Sequence, residues 1–257
     1  MSDLSEFVPY SKQVITILRE AGMLERARDW LMRKTSQDVL VLGASGAGKS
    51  SFLKLISGQS PQISRIERTT KSQTVTGKIE NSYFNLVDTP GQPLDIYREE
   101  RHRAILAAAG KKRLGIINVV SYGYHEETVK AAEAVDNHKV REAFLESRRQ
   151  LEIDLLSEWN ETLCGEGGAA DWMITVVTKA DLWWVADADQ PALHHYQSGP
   201  YFQALGSARR LSHDVRPYSS QNQLFYKQVP MSGFYSDEMR KTDHASLIAK
   251  MLENAAR

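Results

Sequence analysis

The chain has 257 residues, 42% of them hydrophobic and 25% charged, which suits one sizeable core and would leave two full domains cramped. Thirty-two basic residues balance thirty-two acidic ones, which argues against binding to nucleic acid or anionic membrane through charge alone. The single cysteine, Cys164, has no partner for an internal disulfide, and no apolar run approaches the roughly 18 residues that span a bilayer. We therefore expect a cytoplasmic protein without an integral membrane segment, with Cys164 as a buried, inert thiol.

The first predicted elements are two helices in residues 1–36, where apolar residues recur at helical spacing on both sides of Gly22. Val39 to Leu42 then form a short apolar run, which predicts a strand buried on both faces of a parallel sheet. A helix should begin at Lys49. The sequence thus predicts an N-terminal helical extension over 1–36 and one further domain over 37–257.

The middle of the chain predicts a hairpin and then a return to helix–strand alternation. Its strands run from Thr74 to Glu80 and from Tyr83 to Val87, joined by the turn-prone pair Asn81-Ser82. A helix over Ile96 to Ala109 and a buried strand over Leu114 to Val120 follow. The hairpin would place one antiparallel edge strand on an otherwise parallel sheet.

The second half predicts a long helical stretch and two more strands. Residues 126–159 are interpreted as mostly helical, within an insertion at about 125–170, and residues 186–223 as polar, turn-forming sequence. The remaining predicted elements are a strand over Met173 to Val177, a last strand over Leu224 to Met231 and a terminal helix around Ala245 to Leu252. Alternating strands and helices predict a three-layer α/β domain, with ligands at the carboxyl ends of the strands.

Residues 43–50, with the sequence GASGAGKS, fit the Walker A pattern between a predicted strand and a predicted helix. Glycines let successive backbone N–H groups turn toward phosphate, and the helix N-terminus adds partial positive charge. Lys49 is expected to reach the β- and γ-phosphates, and Ser50 to ligate Mg²⁺. The pattern therefore predicts a nucleotide-binding P-loop.

A second motif, Asp88-Thr89-Pro90-Gly91, follows the apolar pair Leu86-Val87 at the end of a predicted strand. Asp88 is placed to hold the magnesium ion, directly or through water. Gly91 lacks a side chain, so its backbone N–H can approach the γ-phosphate.

A third motif, Thr178-Lys179-Ala180-Asp181, follows the strand predicted over 173–177 and selects the base. The Asp181 carboxylate can accept hydrogen bonds from guanine N1–H and the exocyclic amine, a donor pair that adenine does not present on that edge. An unpaired carboxylate is costly, which favours guanine by several orders of magnitude. Lys179 should lay its aliphatic stem along the base plane.

These three motifs, in this order, resemble the GTPases of the translation-factor and Ras-like class over about residues 37–240. The resemblance implies a P-loop NTPase fold with a mostly parallel six-stranded sheet, one antiparallel edge strand and, in this chain, extra helices. It also implies a Mg²⁺-binding threonine before the hairpin, for which we choose Thr70, with Thr69 as the alternative. This stretch is similar to the threonine-rich switch of bacterial ribosome-associated GTPases.

The resemblance implies two more features, a water-orienting glutamine and a last guanine loop. Gln92 stands where Ras-like proteins carry that glutamine. Ser232 and Gly233 follow the strand predicted over 224–231 and stand in for the loop whose backbone N–H meets the guanine carbonyl. The alternative for Gln92 is a solvated residue of the switch loop.

The expected site therefore comprises catalytic, metal-binding and nucleotide-binding residues. The catalytic residues are Lys49, Thr70 and Gln92, and the metal ligands are Ser50, Thr70 and Asp88. The residues expected to bind nucleotide are Gly43, Ser45, Gly46, Ala47, Gly48, Lys49, Ser50, Ser51, Asp88, Gly91, Thr178, Lys179, Asp181, Ser232 and Gly233.

The leading hypothesis is a GTPase switch that binds Mg·GTP, hydrolyses it to GDP and phosphate, and couples the nucleotide state to a protein partner or to self-association. Its switch loops and helical additions would form the partner surface. One alternative is a GTP-dependent interaction module with negligible hydrolysis. A kinase or ATPase that uses ATP is a further alternative, with which the motif at 178–181 conflicts.

Overall fold

The computed structural model describes Arg19 and residues 35–56, 72–79, 82–90, 95–111, 113–126, 131–165, 170–206, 211–220 and 224–257. The strands are β1 (Thr35–Leu42), β2 (Gln73–Ile79), β3 (Ser82–Asp88), β4 (Leu114–Val120), β5 (Val135–Asp136), β6 (Lys139–Val140), β7 (Trp172–Val177) and β8 (Ser212–Pro217). The helices are α1 (Lys49–Ile56), α2 (Asp95–Ala109), α3 (Ala131–Ala134), α4 (Glu142–Gly165), α5 (Ala180–Trp183), α6 (Pro191–Gln197), α7 (Pro200–Ala204) and α8 (Asp237–Ala255).

A six-stranded sheet in the order β2-β3-β1-β4-β7-β8 forms the centre of the molecule. All neighbouring strands are parallel except β2, which pairs antiparallel with β3. The predicted α/β fold, with a mostly parallel six-stranded sheet and one antiparallel edge strand, is confirmed. The small antiparallel sheet of β5 and β6 is an addition that the sequence did not predict.

Side chains of the central strands alternate between two apolar clusters, one on each face of the sheet. Val41 packs in one cluster with Phe52 of α1 and Leu247 of α8. Leu40 packs in the other with Ile105 of α2 and Leu156 of α4. Because each such side chain contributes about 1.5–3 kcal/mol when fully buried, these two faces fix the three layers of the domain.

The last strand of the sheet lies in a different place from the one predicted. The prediction of a strand over 224–231 is wrong, because this segment holds only an isolated bridge between Phe225 and Val229. The sheet instead ends with β8, inside sequence interpreted as polar and turn-forming. As an edge strand β8 pairs only with β7, and of its side chains only Val215 and Pro217 are buried. Its sequence therefore lacks the apolar run of a central strand, and edge strands also tolerate proline.

The stretch over 126–159 is less helical than predicted, because the β5–β6 hairpin interrupts it before α4 begins. Asn137 and His138 form the hairpin's turn with φ angles of 48° and 59°, the left-handed values that two-residue hairpin turns require. Val135 packs with Phe144 and Phe225 in a small separate cluster. The helical periodicity of α4 masked the short strands that precede it.

Two further expectations concern Cys164 and the N-terminus. Cys164 is exposed near the end of α4, so the expectation of a buried thiol is wrong. The helical extension predicted over 1–36 lies outside the described residues apart from Arg19 and residues 35–36, and stays a prediction; β1 already begins at Thr35.

Candidate nucleotide-binding site

Strands β1, β3 and β7 bring the three sequence motifs to one edge of the sheet. Val41 near the end of β1 pairs with Asp88 at the end of β3, and Val120 at the end of β4 pairs with Val177 at the end of β7. Residues 43–50 follow β1, and residues 178–181 follow β7. Since β4 lies between β1 and β7, the motifs surround the carboxyl ends of the central strands, where ligands bind in open α/β sheets.

The P-loop at residues 43–50 depends on glycine for close backbone approach. Gly43 has a φ of 135°, and a Cβ there would stand 2.1 Å from the Val119 carbonyl oxygen. Gly48 has a φ of 96° directly before α1. A side chain at either position would be strained, so this loop conformation requires glycine at both.

Lys49 begins α1 and folds back over the P-loop. Its ammonium donates to the Gly43 carbonyl at 2.7 Å and to the Ala44 carbonyl at 3.2 Å. Burial lowers the pKa of Lys49 to about 8, although the Asp88 carboxylate opposes this shift; the Arg101 guanidinium lowers it further. The lysine, the carboxylate and the guanidinium therefore share one electrostatic environment.

The segment that follows β3 is fixed against β1 and α2. The Thr89 backbone N–H and hydroxyl donate to the Val41 carbonyl at 3.3 and 2.9 Å, while Asp88 is only 5% exposed. Arg101 donates to the Pro90 carbonyl at 3.2 Å and to Glu158 of α4 at 2.9 Å. Arg101 thus connects Pro90 of the second motif to α4.

Thr178 joins the P-loop to the third motif. Its buried hydroxyl lies 2.5 Å from the Ala47 carbonyl and 2.9 Å from the Val120 carbonyl, and it donates to these two acceptors. Because a hydroxyl has one proton, the two acceptors share it. Thr178 therefore holds the P-loop backbone beside the end of β4.

Asp181 is 4% exposed and belongs to a short hydrogen-bonded group at the start of α5. Its Oδ1 accepts from the Ser219 hydroxyl at 2.6 Å, and its backbone carbonyl accepts from the Ser232 N–H at 2.8 Å. Ser219 follows β8 by two residues. The loop after β8 thereby orients one oxygen of this carboxylate.

The structure brings most of the expected site residues together and leaves three outside the described residues. Residues 43–51, Asp88 and residues 178–181 lie along one sheet edge. The Ser232 N–H donates to the backbone carbonyl of Asp181. Gly233 follows it in the sequence and has a φ of 79°. The described residues do not include Gly91, Gln92 or Thr70, nor Thr69 as the alternative to Thr70. The roles of these residues stay predictions.

Sequence reasoning missed Ser219, Arg101 and the β4 loop, which we define as residues 121–126. The missed strand β8 hid Ser219, although the serine pair after Pro217 was the available signal. Arg101 is one of several basic residues in α2, and no pattern distinguishes the buried one. The β4 loop carries no recognisable motif, yet a Cβ on Gly46 would stand 2.6 Å from the Glu126 carbonyl oxygen.

Residues 38–153 match the model of a family described as 50S ribosome-binding GTPase. The matched segment contains the P-loop and the motif that begins at Asp88, the two parts that hold phosphates and magnesium in such domains. Over this segment, which is less than half of the chain, the sequence is similar to P-loop GTPases. A search of curated proteins gives no match to this sequence.

Solved structures share the fold of this chain at low sequence identity. Toc33 from Arabidopsis thaliana in complex with GDP and Mg²⁺ has a TM-score of 0.53 and 15% identity, over 95% of this chain and 91% of that one. Toc33 with Mg²⁺ and GMPPNP has a TM-score of 0.52 and 15% identity, over 97% and 93% of the two chains. A further structure, described by the statement that dimerization is important for the GTPase activity of chloroplast translocon components atToc33 and psToc159, has a TM-score of 0.52 and 14% identity, over 96% and 91%. At these identities the likeness establishes the fold.

None of the helices in the described part of the chain combines the length and the apolar character needed to cross a membrane. The cytoplasmic location stays a prediction.

Proposed function

We propose that this protein binds Mg·GTP, hydrolyses it to GDP and phosphate, and couples the nucleotide state to a protein partner or to a second copy. The observation that carries the proposal is the convergence of the P-loop, Asp88 and Asp181 at one edge of the sheet. The Toc33 complexes with GDP or GMPPNP and Mg²⁺, which share the fold, support the same ligand class.

Guanine selection is assigned to Asp181, assisted by Lys179. Asp181 is buried beside Ser219, so leaving its carboxylate unpaired against the wrong base would cost about 1–3 kcal/mol or more, in addition to the lost hydrogen bonds. The Ser219 hydroxyl occupies one direction on Oδ1 and orients the carboxylate. We assign the last guanine loop to the residues after β8, around Ser219, instead of to Ser232 and Gly233. Ser232 supports the site through its hydrogen bond to the Asp181 backbone carbonyl, and Gly233 lies next to it.

The P-loop is assigned to the phosphates. Its glycine backbone can donate several N–H groups to oxyanions at the N-terminus of α1. The Lys49 ammonium donates to the carbonyls of Gly43 and Ala44. Phosphate would compete for its ammonium, and the added negative charge would raise the depressed pKa of this lysine.

The side chains at the site also suit Mg²⁺, which prefers a few hard oxygen ligands together with phosphate and water. Ser50 in the first turn of α1 offers a hydroxyl, and Asp88 offers a buried carboxylate. Thr70 is the proposed third protein ligand. When bound, the ion would neutralise charge on the β- and γ-phosphates. Lys49 and the P-loop amides would bind and orient those phosphates with or without the ion.

Hydrolysis needs a positioned water and stabilisation of charge at the transferred phosphate. Gln92 is the proposed water-orienting residue. Arg101 supplies a fixed positive charge near Lys49 and holds the carbonyl of Pro90, the residue before Gly91. A second copy could supply further charge, and this part of the proposal agrees with the dimerization dependence stated for atToc33 and psToc159.

Phosphate release from purified protein with GTP and Mg²⁺ tests the proposal. We expect slow turnover that disappears in Lys49→Ala, because the lysine acts on the transferred phosphate. Turnover per molecule should rise with protein concentration if a second copy assists. Tight GTP binding without phosphate release at any concentration would instead favour the alternative, a GTP-dependent interaction module.

A further inference from the structure

We propose that Glu126 is a positioning residue for Lys179, so that the β4 loop forms a third wall of the guanine site beside the P-loop and residues 178–181. This inference rests on the proposed guanine-nucleotide function. It assigns a role in nucleotide affinity to a segment outside the three sequence motifs.

Lys179 is held on several sides by residues that no motif contains. Its ammonium donates to the Tyr124 carbonyl and lies 3.6 Å from Glu126 Oε2. It also lies 5.5 Å from the centre of the Phe225 ring, within the range of a cation–π contact. The backbone of Lys179 has a φ of 56°, so the residue leaves β7 in a sharp left-handed turn. Both the start and the end of this side chain are therefore fixed.

The β4 loop, which supplies two of the Lys179 partners, is itself held by buried Glu152 of α4. One oxygen of this carboxylate accepts from the Ser121 N–H at 2.8 Å and lies 2.7 Å from His125 Nε2. The other oxygen accepts from the Tyr196 hydroxyl at 2.5 Å. Burial alone would raise the pKa of Glu152, but the contacts from His125, Tyr196 and Ser121 outweigh burial and lower it, which keeps the carboxylate charged. Glu152 thus clamps the β4 loop to α4.

Glu126 connects the β4 loop to two other parts of the site. Its Oε1 accepts from the Tyr226 N–H at 2.7 Å, while its Oε2 faces Lys179. Its backbone lies against Gly46 of the P-loop, where a Cβ would stand 2.6 Å from the Glu126 carbonyl oxygen. One residue therefore contacts the phosphate loop, the base-stacking lysine and the segment after β8.

This arrangement predicts that Glu126 acts on affinity rather than on the choice of base. Lys179 covers the flat face of a base, which all purines share, whereas Asp181 reads the edge. A lysine already held in its stacking orientation loses less side-chain entropy when nucleotide binds. Loss of the Glu126 charge should consequently weaken GDP and XDP binding by the same factor.

The test is a double-mutant cycle on the full chain, with the dissociation constant of a fluorescent GDP analogue as the readout. In Glu126→Gln the amide has only one acceptor oxygen, so it cannot face both the Tyr226 N–H and the Lys179 ammonium. Since the pair is partly exposed, at 17% and 28% for the two side chains, we expect about a three- to tenfold weaker affinity. In a Lys179→Met background the same substitution should change affinity by less than about twofold.

Glu133→Gln is the matched control, because it removes the same charge from an exposed residue of α3 and should leave affinity unchanged. Thermal unfolding of each variant without nucleotide reports folding, and Glu126→Ala, which also removes the charge, replaces the glutamine variant if that one does not fold. An equal loss in both Lys179 backgrounds, or no loss in either, overturns the inference while the proposed function stands. Failure of the unsubstituted protein to bind GDP overturns the proposed function and the inference with it.

Discussion

Asp181 and Lys49 carry the chemistry of the proposed site, and the structure gives each a defined environment. Asp181 is almost completely buried and is held by the Ser219 hydroxyl, so its orientation is set before a base arrives. Lys49 is buried against P-loop carbonyls, and burial lowers its pKa. Substitution of Asp181 and titration of Lys49 should therefore each change nucleotide affinity measurably.

Replacing Asp181 by asparagine should move base preference from guanine toward xanthine. The amide oxygen can keep the Ser219 hydroxyl, which leaves the amide NH₂ toward the base, where it opposes the guanine donors and meets the xanthine carbonyl. We expect GDP affinity to fall at least about a hundredfold and XDP to become the better ligand. Titration of the folded variant with both nucleotides measures this, and unchanged GDP affinity would remove Asp181 from the site.

The pH dependence of GDP affinity should report on Lys49. Only the ammonium form attracts phosphate, and the pKa of Lys49 without nucleotide is about 8, so affinity should be constant below that pH and fall above it. The phosphates raise this pKa in the complex, so the decline continues until the higher value is reached. From pH 7.5 to pH 9 we expect roughly a five- to tenfold loss.

Lys49→Ala is the control for this pH series, because it keeps every other titrating group, including those of the nucleotide. Its affinity should be weaker throughout and should lack the decline that begins near pH 8. Superimposable pH profiles for the two proteins would show that Lys49 does not bind the phosphates as an ammonium.

At the scale of the elements, the P-loop depends on neighbours that lie far away in the sequence. Thr178 after β7 binds the Ala47 carbonyl, and Glu126 of the β4 loop packs on Gly46. The site is therefore one packed unit built from the ends of β1, β4 and β7. A change in the contact between the P-loop and the β4 loop should affect both stability and ligand binding.

Gly46→Ala should destabilise the protein because two costs combine. The residue has a φ of 75°, and the new Cβ would meet the Glu126 backbone at 2.6 Å, where no flexible side-chain end can move aside. We expect a loss of about 1–3 kcal/mol in the free energy of unfolding, together with weaker GDP binding. Gly110→Ala is the matched control, since a Cβ there has no neighbour within 4 Å, and it should change stability by less than about 0.5 kcal/mol. Equal unfolding midpoints in urea for the two variants would contradict the packing of the β4 loop on the P-loop.

The elements that sequence reasoning found and missed differ in a physical way. β1, β4 and β7 are buried on both faces and appear as apolar runs, so their positions and the motifs at their ends were predictable. β8 is an edge strand with a mixed sequence, while the apolar residues over 224–231 include exposed Leu224 and Met231. The hydrophobic pattern therefore predicted the last strand of the sheet in the wrong segment. The β4 loop was unpredictable because its role depends on tertiary contacts with Glu152 and Lys179.

At the scale of the molecule, the sheet order places every described motif at one edge, although the motifs span residues 43–181 of the sequence. The long helix α4 belongs to this arrangement, because its Glu152 anchors the β4 loop and its Glu158 pairs with Arg101. This helix lies within the helical insertion that the sequence predicts at about residues 125–170. Its buried contacts make α4 a support of the site.

A paired calorimetric titration with GDP and with ADP, each with Mg²⁺, measures whether this domain selects guanine nucleotides. The buried Asp181 carboxylate satisfies the guanine donors and is left unpaired by adenine, so GDP should bind at least about a hundredfold more tightly than ADP. Equal affinities for the two nucleotides would contradict the account.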